Sequence, residues 1–375
     1  MSPIPSPASS DISPSPAKPT INKARWWLLK GLLLVVLVIP VVFVWQALTN
    51  SINNTDPLVA GQPLSNPKTH LHLVALGGTP GVVYLGTHYG LFTSTDGGQT
   101  WPQPRGVLNT LMILDMAVNP TDPQALAVIG RSSSGLTNQD GMYFSANGGN
   151  LWQLSNAPAG LSPSAYLFHV QAGSGSAGHF YAFYEYAGWY ETTDLGMHWH
   201  LITTGTLSNM LTPTLLTDPS NPNHLMLGGD QGLFETHNDG HSWNQLPAIQ
   251  GNVQSIVAST TTPRLIFCVT DQSIYRWREG SSQMTQLTHL PLPSLPSRLV
   301  LSADGTTLYG LTGQDLWASH DSGTTWKHLW QFDRSDLVSL VIDPQHPRRL
   351  YAGFFMPGKV IASTNGGTSW HSLTA

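Results

Sequence analysis

An eight-residue pattern recurs six times in this chain, and no other feature limits its fold so tightly. STDGGQTW at 94–101 returns as SANGGNLW at 145–152, TTDLGMHW at 192–199, THNDGHSW at 236–243, SHDSGTTW at 319–326 and STNGGTSW at 363–370. The closing residues Trp101, Trp152, Trp199, Trp243, Trp326 and Trp370 are 51, 47, 44, 83 and 44 residues apart. The interval of 83 is close to two of the others, so one copy has lost its signature, and Arg276–Met284 occupies its place. Seven units over residues 69–375 average about 44 residues each, the length of a four-stranded propeller blade.

Strands can be read inside the units. The first unit gives HLHLVAL, VVYLG and GLFTS before its turn, and the last gives LVSLVID, RLYAGF and KVIAST. Between first and second strands, NPTDP at 119–123, DPSNP at 218–222 and DPQHP at 343–347 are turn sequences. The expected fold class is all-β, a seven-bladed β-propeller closed radially so that few strand edges stay free. At the third position of each copy, Asp96, Asn147, Asp194, Asn238, Asp321 or Asn365 offers a side-chain oxygen to the turn's N–H groups. The glycine can take positive φ and the tryptophan packs into the blade, so these acids, amides and indoles are read as structural.

The pattern S-x-D-x-G-x-T-W resembles the Asp box, or BNR repeat, of sialidases, xyloglucanases, sortilin-type receptors and photosystem II assembly factors. The resemblance spans residues 69–375 and implies that each copy is a hairpin turn between the third and fourth strands of a blade. It implies either a glycoside hydrolase or a non-catalytic binding propeller. Sialidases hold their substrate with three arginines and use a Tyr nucleophile with Glu and Asp. Of the nine arginines after residue 48, none lies in an Arg-Ile-Pro signature, and the Tyr and Glu cluster is Tyr184–Glu191. Xyloglucanases set two such propellers face to face, whereas this chain has one. Sortilin-like receptors add Cys-rich domains, whereas Cys268 is the single cysteine here. Photosystem assembly factors are one seven-bladed propeller at a membrane with an arginine-rich patch. Arg276, Arg278, Arg348 and Arg349 form doublets here, in a region that is net acidic.

Charge and hydropathy place the propeller. Residues 1–25 hold six Pro and six Ser and read as a disordered tail. Residues 26–48 read as one transmembrane helix: from Gly31 onward 18 residues are uncharged, which spans about 27 Å as a helix. The alternative is a cleaved signal peptide, but the Trp45-Gln46-Ala47 exit puts a bulky indole where signal peptidase prefers a small side chain, which favours an uncleaved anchor. Residues 49–68 are a polar linker. The first 48 residues carry Lys18, Lys23, Arg25 and Lys30 against Asp11, a local +3, which keeps the N-terminus cytoplasmic and puts the propeller outside a cell membrane. The remaining residues carry −8 and the whole chain −5, too acidic for electrostatic binding of nucleic acid.

The loops between second and third strands make the usual binding face of a propeller. On that logic Arg131 and Asp140 in the 130–141 loop, Glu185 and Tyr186 in the third unit, and Phe355 in the seventh are the candidate ligand-binding residues. No catalytic residue is assigned. His70-Leu71-His72 and His198-Trp199-His200 each set two imidazoles on one strand face, but spacing supplies no third ligand, so neither metal nor cofactor is expected. The expected role is binding of a protein or glycan partner by a single-pass membrane protein. The alternative is a membrane-tethered glycoside hydrolase, with two carboxylates facing each other near Glu185 or Asp140. Trp189, Trp277, Trp317 and Trp330 are the indoles left for recognition.

Overall fold

The computed structural model describes residues 64, 66, 68–104, 106–132, 139–162, 167–203, 205–210, 213–281, 283–288 and 290–374. The expected tail 1–25, membrane helix 26–48 and most of the linker 49–68 lie outside the described residues, as do positions 133–138 of the 130–141 loop. No helix among the described residues is long and apolar enough to cross a membrane.

Seven antiparallel sheets follow one another along the chain, each built from contiguous sequence. Blade one is β1 (Leu71–Leu76), β2 (Val83–Thr87) and β3 (Gly90–Ser94); blade two is β4 (Leu111–Val118), β5 (Leu126–Ser132), β6 (Gly141–Ser145) and β7 (Gln153–Leu154). Blade three is β8 (Leu167–Ala172), β9 (Phe180–Tyr184), β10 (Gly188–Thr192) and β11 (His200–Leu201); blade four is β12 (Thr214–Thr217), β13 (Leu225–Gly229), β14 (Gly232–Thr236) and β15 (Asn244–Gln245). Blade five is β16 (Val253–Ala258), β17 (Leu265–Thr270), β18 (Ile274–Arg278) and β19 (Thr285–Leu287). Blade six is β20 (Arg298–Leu301), β21 (Leu308–Thr312), β22 (Asp315–Ser319) and β23 (Lys327–Gln331); blade seven is β24 (Leu337–Ile342), β25 (Leu350–Phe354), β26 (Lys359–Ser363) and β27 (His371–Ser372).

Among the described residues blade one has no fourth strand, as Pro102 and Pro104 follow Trp101 and have no N–H to give a ladder. Second strands are buried on both faces, which is why LIFCVT in β17 reads as an unbroken apolar run rather than an alternation. The short fourth strands β7, β11, β15 and β27 are exposed.

The first strands pack each on the next, and β24 packs back on β1, which closes the ring. Among the described residues no strand is exchanged at that closure. Val74 N–H donates to Ser339 Oγ at 2.9 Å, Trp101 Nε1–H to Leu373 O at 3.1 Å, Leu71 N–H to Phe355 O at 3.0 Å and Gly358 N–H to Thr69 O at 2.7 Å. The approach is so close that a Cβ at Gly353 would meet Leu71 Cδ2 at 2.7 Å. Five first strands carry a β-bulge near the same height, between Leu71 and Leu73, Ile113 and Asp115, Leu167 and His169, Val253 and Ser255, and Leu337 and Ser339.

The core is distributed rather than central. Seven apolar clusters fill the seven seams between blades, and the tryptophan of each eight-residue turn packs into the seam with the preceding blade. Trp199, for example, lies against Phe144 of blade two with ring centroids 6.2 Å apart. In blade five Met284 stands at that place and the buried Trp277 of β18 fills the same seam.

The turns share one hydrogen-bond scheme. Ser94 Oγ–H donates to Asp96 Oδ1 at 2.7 Å, and that oxygen accepts the N–H of Gln99 and of Thr100 at 2.9 and 3.0 Å. In blade two Asn147 Oδ1 takes the corresponding Leu151 N–H at 2.9 Å, so an amide oxygen serves as well as a carboxylate. Five of the six turns then clip onto the first connection of their own blade, as in Gly97 N–H to Gly81 O at 2.8 Å and Gly148 N–H to Gln124 O at 2.9 Å. Blade five keeps this clip, Glu279 N–H to Arg264 O at 2.9 Å, although its turn has lost the signature.

Candidate functional site

Antiparallel pairing sends every second-to-third strand connection to one end of the ring and every eight-residue turn to the other. The five candidate ligand-binding residues lie at the connection end, on three blades. Arg131 is next to last in β5, and Asp140 precedes β6 and accepts the N–H of Ser132 on Oδ1 at 2.6 Å. Glu185 and Tyr186 form the turn between β9 and β10, which Ala187 N–H closes on Tyr184 O at 3.0 Å. Tyr186 sits at φ +62° and is 75% exposed. Phe355 follows β25, is half-buried, and meets the histidines of blade one.

Those histidines form a group that spacing alone did not complete. His70 precedes β1, His72 occupies its bulge, and His88 enters from the turn between β2 and β3, where its N–H donates to His70 O at 3.2 Å. His72 Nδ1 lies 3.0 Å from Ile113 O, an acceptor only, so Nδ1 carries the ring proton and Nε2 is left as a lone-pair donor. That Nε2 faces His88 Nδ1 at 3.1 Å. The His70 and His88 rings meet edge to face at 4.6 Å, and Phe355 packs against His70 at 5.0 Å and His72 at 6.1 Å. Burial lowers His70, takes His72 down to about 4 and, with both neighbouring imidazoles, takes His88 down to about 3. All three are neutral at pH 7.

The turn end gathers the carboxylates instead. At the seam of blades three and four, His179 Nε2 contacts Glu191 Oε1 at 2.8 Å, His200 binds the other Glu191 oxygen, and Tyr181 donates to Asp239 at 2.8 Å. Burial and adjacent Glu191 raise Asp239, whereas Glu191, against the effect of burial, is held low by His179, Asp239 and His200. At the seam of blades four and five, Arg264 is 3% exposed and binds Glu279 Oε2 at 3.1 Å, Asp218 Oδ2 at 3.1 Å and Thr217 O at 3.1 Å. His224 bridges Asp218 at 3.2 Å and Glu235 at 2.8 Å, and stacks on His237 at 4.7 Å.

These seam networks are chemically closed: each buried charge already has its partner, as burial requires. Among the described residues the clustered acids do not include Glu185 or Asp140. The His198 and His200 imidazoles turn to different acids, His198 to Asp194 at 2.6 Å and His200 to Glu191. Of the four remaining indoles, Trp189 and Trp277 are buried core, and Trp317 donates to Thr312 at 3.0 Å.

No protein-family profile and no curated protein matches the chain. Among solved structures it is similar to the GH74 xyloglucanase of Xanthomonas campestris, with a TM-score of 0.64 at 14% identity over 85% of this chain and 55% of that one. It is similar to an ancestral GH74 enzyme with a TM-score of 0.61 at 18% identity, covering 84% of this chain and 48% of that one. The β-propeller domain of Cps50 (Swd1) from Myceliophteria thermophila gives 0.56 at 12% identity, covering 82% of this chain and 98% of that domain. The chain thus spans about half the length of the GH74 enzymes it matches. At these identities the likeness is one of fold.

Proposed function

We propose that this chain is a non-catalytic binding propeller, its turns Asp-box repeats, which takes a protein or glycan partner at the end built by the second-to-third strand connections. The segment 26–48 holds it at a cell membrane with the propeller outside. One observation carries the reading: the carboxylates that come together are locked with histidine and arginine inside seams, while the connection end presents Tyr186, 75% exposed on a left-handed turn. A bulky residue held at positive φ is uncommon and is found where a side chain must be presented. A glycoside hydrolase would need two acids facing open solvent about 5 to 9 Å apart.

The test offers the purified protein immobilised glycans and a peptide library, with product release followed in parallel. Retention that falls on Tyr186→Ala, with no turnover, is the expected result. Glycan hydrolysis that disappears on Glu185→Gln overturns it in favour of the tethered hydrolase. Protease added to intact cells should digest the propeller and spare residues 1–25.

A further inference from the structure

We propose that His70, His72 and His88 form a binding site for a zinc-class divalent cation, set at the connection end of the ring where blade seven closes on blade one. Each imidazole offers one ligand atom, and these atoms lie within 4.8 Å of one another. Tetrahedral coordination with metal–nitrogen bonds of 2.0–2.1 Å sets neighbouring nitrogens about 3.3 Å apart. His72 Nε2 and His88 Nδ1, at 3.1 Å, already hold that separation; an ion takes the place of the proton between them, and His88 then carries its proton on Nε2.

The surroundings favour a metal over a simple histidine cluster. Ile113 O, 3.0 Å from His72 Nδ1, fixes the tautomer that leaves Nε2 free to ligate, the role of an outer-shell carbonyl at a metal site. His72 is held by the strand that packs on β24, His70 by the residue just before that strand, and His88 by a turn whose N–H donates to His70 O. Phe355 lies over the His70 and His72 rings and limits access of water. Two of the other candidate clusters differ in kind: at Asp218, His224 and Glu279 the guanidinium of Arg264 fills the place a cation would take, and at His179, Glu191 and Asp239 the acids are already tied to His179, His200 and Tyr181. Neutral imidazoles without a carboxylate select zinc or copper rather than magnesium or calcium. Three protein ligands leave a fourth position for water or for an acidic group of a bound partner.

The experiment uses the full chain in detergent, stripped with chelator and titrated with zinc chloride by calorimetry. One ion per chain is expected, together with a rise in melting temperature and, on cobalt substitution, the visible absorption of a tetrahedral nitrogen site. His88→Gln and His70→Gln should each lose the stoichiometric ion and the cobalt spectrum, while His198→Gln keeps both. Melting in chelator shows whether each variant is folded, and either one suffices if the other is not. Failure of the wild type to bind, or equal binding by folded wild type, His88→Gln and His70→Gln, overturns the proposal.

Discussion

Leu195 at φ +58°, Asp239 at +56° and Ser322 at +58° stand where three other turns have Gly97, Gly148 and Gly366. A left-handed residue with a Cβ costs about 1–2 kcal/mol, partly offset by the extra chain entropy glycine loses on folding, about 0.5–1 kcal/mol. Ser322→Gly is therefore expected to stabilise the protein by up to about 1 kcal/mol, read from the urea midpoint. Leu195→Gly should gain nothing, because Leu195 packs into the seam between blades two and three. The next position is glycine in every copy. At Gly196, φ is +80° and an added Cβ would lie 2.4 Å from Phe144 Cε2. Gly196→Ala should lower stability by about 2–4 kcal/mol, strain and overpacking together. An unchanged midpoint for that variant would mean the seam relaxes where the packing says it cannot.

At the scale of the turn, three copies use aspartate and three use asparagine for one geometry. The hydrogen bonds from the Thr325 hydroxyl and N–H hold Asp321 down to about 2. In Asp194 burial is outweighed by the His198 N–H and ring, again to about 2. A carboxyl lowered on folding adds stability above its ordinary value of 3.8 and loses it as pH falls toward 2. Asp321→Asn should thus match wild type at pH 7 and melt higher than wild type at pH 3, a difference that thermal scans at the two pH values measure. The recurrence of this turn made the blades legible, since an eight-residue signature at blade-length spacing needs no tertiary information. Blade five was legible only as a gap. Its substitutes, Met284 at the tryptophan place and Trp277 on β18, are recognisable only once the seam they fill is seen. The missing fourth strand of blade one was written in Pro102 and Pro104, a local signal that the repeat count overrode.

Across the whole ring, charge is kept in the seams. Arg264 joins β17 to the end of β12 and to the Glu279 turn, so Arg264→Met, which keeps most of the volume, should destabilise by about 3–5 kcal/mol by leaving Asp218 and Glu279 uncompensated. His224 is raised above 6.5, burial opposing and Glu235 and Asp218 prevailing. Its contribution is fully present below 6.5 and fades as pH rises through the higher folded value. The stability gap between wild type and His224→Gln should therefore shrink from pH 6 to pH 9 in denaturant melts; a widening gap would refute the assignment. None of this network shows in the sequence, because Thr217 ends β12 while His224, Arg264 and Glu279 adjoin the ends of β13, β17 and β18, and they share no motif. His88 was hidden for the same reason, sixteen positions from His72 in a turn that only strand pairing brings round. The closing seam has a consequence for how the molecule is made. Strand pairing everywhere joins neighbours in sequence, whereas Val74 to Ser339 and Trp101 to Leu373 span 265 and 272 residues. Such a chain can assemble blade by blade as it leaves the ribosome, a curved array with nearest-neighbour cooperativity, and meets its one slow search at the end, when two distant blades must find each other.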